Sequence, residues 1–241
     1  MDIEFLRSGI KEMGIEISDK EIDSFCSFYD DLISYNEKVN LTNITEWNDV
    51  AVKHFIDSVS LLKFTDLSDV KTALDLGCGA GFPGIPLSIM KPEISFTLMD
   101  SIEKKKRFFE SETDKLGLKN DIAICGRAED FGSDPEYRES FDLCVSRAVA
   151  NLSTLAEFCL PFVKVGGRFV AYKGDSEAEI SSGLNEAIET LGGKVSSIEK
   201  FILPHSDNTR ILIFIDKVSA TPEKYPRRAG IPLKRPLGER Q

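Results

Sequence analysis

Residues 73–84 read A-L-D-L-G-C-G-A-G-F-P-G, an apolar strand that ends near an acid and runs into closely spaced glycines. The strand itself is Thr72 to Leu76. Glycines at 77, 79 and 81 let the main chain turn sharply and approach a ligand where a Cβ would collide. The pattern predicts a nucleotide-like cofactor. The next apolar run, Ile94 to Met99, reads as a second strand with Asp100 at its carboxyl end, 19 residues after Gly81. An acid about 20 residues beyond such a loop is placed to accept both ribose hydroxyls of a nucleoside. Capping the helix that follows, a role Ser101 would serve equally well, is the alternative use of Asp100.

Working outward, the chain alternates between the two periods of regular structure. Strands are expected at 72–76, 94–99, 122–125, 141–146 and 168–173, with helices at about 84–90, 102–116, 151–163 and 176–191 between or after them. Such alternation specifies an α/β fold, a doubly wound and mostly parallel sheet covered by helices on both faces. Val195 to Leu203 and Ile211 to Asp216, joined through P-H-S-D-N, read as an antiparallel hairpin at one edge. Upstream, residues 1–64 form an N-terminal helical extension: Ser18 and Glu21 make a capping box ahead of Ile22, Phe25, Tyr29, Leu32 and Ile33. A second amphipathic run begins near Trp47 and carries Val52, Phe55, Ile56, Val59 and Leu62. The expected division is therefore 1–64 helical extension, 65–220 cofactor-binding domain and 221–241 tail. The tail holds four of the ten prolines, and six Lys/Arg against two Glu, a local charge of +4. It is expected to be extended rather than helical.

The glycine loop admits two ligands. Gly79, Gly81 and Gly84 satisfy G-x-G-x-x-G literally, which suggests NAD(P) and an oxidoreductase. Asp75 through Gly81 fits D-x-G-x-G-x-G more closely, the pattern of class I S-adenosylmethionine (SAM) methyltransferases, with Pro83 and Pro86 flanking Gly84. SAM carries an ammonium and a sulfonium but no phosphate, so a carboxylate such as Asp75 beside the loop would help it and would oppose a pyrophosphate.

The whole chain narrows the classes further. Its 241 residues, 41% hydrophobic and 29% charged, suit one substantial soluble core. No run approaches the roughly 18 apolar residues of a membrane span, and M-D-I-E-F-L-R lacks the basic start and apolar core of a signal peptide. A cytoplasmic protein without a membrane partner is expected. Five cysteines, odd in number and mostly within apolar segments, suit reduced thiols. Two histidines far apart, with no C-x-x-C, make a zinc site an unsuitable reading. The net charge of −10 argues against general adhesion to nucleic acid and is silent about a local patch.

Several stretches together resemble the RsmG (GidB) family of bacterial 16S ribosomal RNA guanine-N7 methyltransferases. They are N-E-K-V-N-L-T (36–42), H-F-I-D-S (54–58), D-L-G-C-G-A-G-F-P-G-I-P-L (75–87), D-S with K-K-x-x-F-F (100–109), G-R-A-E (126–129), F-D-L-C-V-S-R-A-V (141–149) and K-G (173–174). The resemblance covers nearly the full chain, and the tail K-Y-P-R-R-A-G-I-P is similar to that of the Gram-positive branch. Cys78 departs from the Ser or Thr common in relatives. The resemblance implies a class I SAM-methyltransferase (Rossmann-like) fold, with SAM held by Gly77, Phe82, Asp100, Ala128, Glu129 and Arg147. It implies 16S ribosomal RNA or a small-subunit particle as partner, and a monomer is expected. Ala128 and Glu129 follow strand 122–125, at the carboxyl edge where open α/β sheets bind ligands. Arg147 follows strand 141–146 on the same edge; its planar fork suits the SAM carboxylate, an RNA phosphate or a guanine edge, and a plain salt bridge is the alternative.

What the sequence lacks also bears on mechanism. Amine methyltransferases of bases place N/D-P-P-Y/F after the fourth strand, where this chain has S-R-A-V. Pyrimidine C5 chemistry needs a nucleophilic cysteine, whereas Cys144 lies inside an apolar strand. Guanine N7 has a free lone pair and no proton to remove, so positioning and electrostatics suffice. A SAM enzyme for protein or small-molecule acceptors is the rival within this chemistry. Candidate RNA contacts are Lys104, Lys105, Lys106, Arg107, Arg147, Lys173 and the tail, with Asn40, Thr42, His54 and Asp57 as one wall of the target pocket.

Overall fold

A computed structural model describes residues 1–147, 150–174 and 182–238. The N-terminal part is helical: α1 (Ile3–Glu12), α2 (Asp19–Asn36), then a continuous rod of α3 (Trp47–Val50), a π-helical turn (Ala51–Ile56), α4 (Asp57–Val59) and a 3₁₀ turn (Ser60–Lys63). The capping box forms at α2, with Ser18 N–H on Glu21 Oε2 at 2.6 Å and Glu21 N–H on Ser18 Oγ at 3.4 Å.

Then β1 (Thr72–Leu76), α5 (Gly84–Met90), β2 (Ser95–Asp100), α6 (Glu103–Lys115), β3 (Ile122–Cys125), α7 (Ala128–Phe131), β4 (Phe141–Arg147), α8 (Leu152–Cys159) and β5 (Val163–Gly174) alternate. A 3₁₀ turn at Leu160–Phe162 ends the α8 segment, where Pro161 withholds a main-chain donor. The chain continues through α9 (Ser182–Thr190), β6 (Gly193–Ile202), β7 (Thr209–Lys217) and α10 (Ile231–Lys234). The first residues of the helix expected at 176–191, Ala148 and Val149, and the tail beyond Gly238 lie outside the described residues.

Seven strands form one sheet in the order β3-β2-β1-β4-β5-β7-β6. β1 to β5 are parallel, while β7 runs antiparallel to both β5 and β6. The expected edge hairpin is present, with its second strand on the inside. Winding goes outward from β1 through β2 to β3, then restarts at β4 on the other side, so the switch point lies between β1 and β4. Alternate residues take opposite faces. Leu74, Cys144, Phe169 and Ile213 pack with Leu155 and Cys159 of α8, whereas Ala73, Val145, Val170 and Leu212 pack with Leu61 and Leu87. The N-terminal helices bring Leu6, Phe25, Phe28 and Phe55 against Phe82, Ile85 and Phe108, which brings that segment to the rim of the glycine loop. The tail departs from an extended segment by the single turn of α10.

Candidate active site

The carboxyl ends of β1, β2, β3 and β4 open into one cavity of about 660 Å³, within the range of about 300–1,000 Å³ usual for small-molecule sites. All six residues expected at a cofactor, Gly77, Phe82, Asp100, Ala128, Glu129 and Arg147, line it. So do Thr42 and His54 from the N-terminal part, Ile102 and Lys105 at the start of α6, Phe158 of α8, and Gly230 and Leu233 of the tail.

The loop after β1 is shaped by local geometry. Gly77 and Gly79 have φ of 73° and 61°, a left-handed conformation that glycine adopts without a Cβ penalty. Gly84 serves packing instead. A Cβ there would stand 2.4 Å from Leu98 Cδ2 and 2.7 Å from Asp75 Oδ2. Its N–H donates to Asp75 Oδ2 at 2.6 Å, so the start of α5 is closed by an internal carboxylate rather than offered to a pyrophosphate. This corrects the expected role of Asp75. It is fully buried, does not line the cavity, and burial pushes its carboxyl up to about 7, with the Gly84 N–H pulling the other way. Its Oδ1 has no hydrogen-bond partner.

Asp100 is engaged on both oxygens. Oδ2 accepts from Gly79 N–H at 3.1 Å and from Lys105 Nζ at 3.0 Å, and Oδ1 accepts from Ile102 N–H at 3.1 Å. Neither Asp100 nor Ser101 caps α6, whose N-cap position is Ile102 without a side-chain bond. A carboxylate offers about four acceptor sites, so Asp100 retains capacity for a hydroxyl. Lys105 is thereby a cavity residue. Lys106 and Arg107 pair with Glu110 and Glu103 along the helix, and Lys173 is buried, its ammonium on Ala150 O at 2.5 Å. Lys173 is thereby withdrawn from RNA, whereas Arg107 stays exposed on the helix surface.

Arg147 joins the two halves of the site. Its Nη1 donates to Asp57 Oδ2 at 2.9 Å and to Lys53 O at 3.0 Å, and its Nη2 lies 3.3 Å from His54 Nδ1. The guanidinium stands over the Phe82 ring at 5.2 Å, and His54 stacks on that ring with centroids 4.4 Å apart. Asp57 is buried and is braced a second time by Arg210 of β7, Nε to Oδ1 at 3.2 Å. Burial, then the charge of Arg147, hold the His54 imidazole down to about 3. Nδ1 also lies 3.1 Å from Lys53 O and Nε2 lies 3.0 Å from Thr42 Oγ1, so the neutral ring is held on both nitrogens. Thr42 is held in turn by Asn36, whose Oδ1 accepts from the N–H groups of Leu41 and Thr42 at 2.7 and 2.9 Å.

Of the expected target-pocket wall, Thr42 and His54 line the cavity, Asp57 stands behind Arg147, and Asn40 is exposed outside it. His205 takes no part; it stacks on Phe5 and meets Ser8 of α1. The sequence offered no sign of Phe158, Gly230 or Leu233, because their approach depends on chain segments far from the glycine loop. The π turn is likewise invisible in the residue pattern, yet it carries His54 and delivers Asp57 to Arg147, in line with the frequent association of π geometry with functional sites.

A family model described as rRNA small subunit methyltransferase G matches residues 21–209. Proteins named Ribosomal RNA small subunit methyltransferase G are 44% identical in Lactobacillus johnsonii, over 98% of this chain and all of that protein, and 44% identical in Bacillus subtilis, over 98% and 99%. The Pelotomaculum thermopropionicum protein of the same name is 46% identical over 97% of this chain and 98% of its own length. Solved structures share the fold at low identity. One is a complex of the Haloferax volcanii Trm112 methyltransferase activator and a putative methyltransferase, with TM-score 0.56, 14% identity, and 78% of this chain and 98% of that one covered. Another is a 16S rRNA (adenine(1408)-N(1))-methyltransferase from Catenulisporales acidiphilia, with TM-score 0.51, 14% identity, and 63% and 87% covered. With the family model spanning most of its length and relatives matching it end to end, the chain belongs to the rRNA small subunit methyltransferase G (GidB) family.

Proposed function

We propose that this chain transfers a methyl group from SAM to N7 of a guanine in 16S ribosomal RNA, free or in a small-subunit particle, acting as a cytoplasmic monomer. No helix among the described residues is long and apolar enough to cross a membrane. The observation that carries the reading is the convergence of all six expected cofactor residues on one cavity that Leu41, Thr42 and His54 of the N-terminal part also line.

The residues present fit the cofactor. The bare loop at Gly77 and Gly79 allows close main-chain approach, Asp100 suits a ribose hydroxyl, and Glu129 suits the adenine amine. When bound, SAM supplies an electrophilic methyl group. Guanine N7 needs no general base, so the chain's task is to orient the base and shape the field around it. Phe82 and neutral His54 give flat apolar contact. Arg147, fixed by Asp57 and Lys53 O, presents its remaining N–H capacity toward an acceptor such as guanine O6.

The decisive measurement is transfer of labelled methyl from SAM to 16S RNA, free and in small subunits from cells lacking this protein, with mapping of the modified base. N7-methylguanosine at a single site is expected. SAM binding without transfer to either substrate would move the assignment to another acceptor.

A further inference from the structure

The tail beyond β7 does not leave the body of the molecule within its described residues. Arg138 donates from Nη1 to Gly132 O and Tyr225 O, at 2.9 and 2.8 Å, and from Nη2 to Thr221 O at 2.7 Å. Arg227 meets the buried Glu157 of α8 with two prongs, Nη2 on Oε2 at 2.5 Å and Nε on Oε1 at 2.8 Å. Thr154 Oγ1 donates to Pro232 O at 3.1 Å, and Ser153 Oγ to Leu237 O. These anchors hold residues 221–237 across α8.

Between the anchors the tail reaches the cavity. Gly230 N–H donates to Glu129 Oε1 at 3.0 Å, and Gly230 and Leu233 both stand on the cavity wall. Leu233 is 60% exposed and Ile102, which also lines the cavity, is 47% exposed. Two large apolar side chains left open to water on one cavity suit a flat aromatic ligand, which would cover both.

We propose that the tail is a working wall of the cofactor site: Leu233 covers the purine of SAM, and Gly230 N–H holds Glu129 so that its other oxygen accepts from the exocyclic amine. The inference rests on the SAM reading above. It gives the tail a cofactor role in place of a purely electrostatic one toward RNA.

Binding to the full chain is read by calorimetric titration with S-adenosylhomocysteine and with S-inosylhomocysteine, whose purine carries an oxygen where adenine has the amine. Leu233→Ala should weaken the adenosyl ligand about five-fold, from the apolar area left uncovered, with Leu233→Met restoring most of it. Because Leu233 is exposed, the thermal midpoint of the free chain should not move. In methyl transfer the loss should fall on KM for SAM rather than on kcat. Glu129→Gln should narrow the preference for adenosyl over inosyl ligand. Unchanged ligand affinity in Leu233→Ala, or a loss confined to KM for RNA, would overturn the inference and leave the SAM reading standing. Failure of the unaltered chain to bind either ligand would overturn both.

Discussion

Asp75 and His54 carry opposite protonation demands. Burial raises the Asp75 carboxyl from 3.8 to about 7, so between those values the folded chain holds a proton that the unfolded chain releases. Its contribution to stability is therefore full at low pH and is lost as pH rises through 7. Burial and the Arg147 charge lower His54 from 6.5 to about 3, so below 6.5 the unfolded chain takes up a proton that the folded chain refuses. That contribution is present above 6.5 and is lost as pH falls toward 3. The two slopes oppose one another over nearly the same window. Urea unfolding between roughly pH 4.5 and 6.5 should show Asp75→Asn gaining stability relative to the parent chain as pH rises, and His54→Gln losing it. Each difference should approach about 1.4 kcal/mol per pH unit. A difference from the parent that stays flat with pH would refute the assignment for that residue. The same chemistry keeps His54 uncharged at neutral pH, where it offers the cavity a ring face rather than a second cation beside Arg147.

Between the end of β1 and the first turn of α5, two glycines are required for different reasons. A Cβ at Gly79 meets open space, its nearest neighbour Gly77 O at 3.9 Å, so Gly79→Ala costs only the left-handed conformation, about 1 kcal/mol. A Cβ at Gly84 meets Leu98 and Asp75 inside van der Waals contact, so Gly84→Ala forces α5 off the sheet and should cost about 3 kcal/mol. Chemical denaturation of the two variants should preserve that order, with Gly79→Asn milder than Gly79→Ala; equal losses would remove the distinction. These elements were legible in the sequence because glycine spacing and apolar period are local signals: β1, α5 and β3 fall on the residues expected. The six residues expected at a cofactor came from matching local motifs, and the sheet edge brings them together around one cavity. The π turn has no residue signature, since its hydrogen bonds differ by one residue from those of an α-helix. The pairing of Arg147 with Asp57, 90 residues upstream, and of Glu129 with Gly230, 101 residues downstream, depends on tertiary packing that local pattern does not encode.

At the scale of the whole molecule, the cavity draws its walls from the N-terminal part, the sheet loops and the tail, so a ligand that fills it would touch three distant parts of the chain. Binding to the folded state alone stabilises it by mass action, by about 2.7 kcal/mol at a ligand concentration one hundred times Kd. For a chain of this length that corresponds to a rise in Tm of about 5 to 10 °C with SAM. Thermal unfolding with and without SAM tests it, and an unmoved Tm at saturation would mean that the ligand does not select the folded form. The net charge of −10 places a different constraint on RNA, whose phosphates must meet local cations against an unfavourable overall field.

Strand order also sets a calendar. β7 is the last of the seven described strands to be synthesised, yet it stands between β5 and β6 and alone connects β6 to the sheet. During translation β6 waits without a neighbour, and β5 keeps an open edge, until residues 209–217 emerge. Arg210, which braces Asp57 and through it Arg147, arrives on that same strand. A protein that acts on ribosomal RNA is thereby kept unfinished for most of the time it is still tethered to the ribosome that makes it.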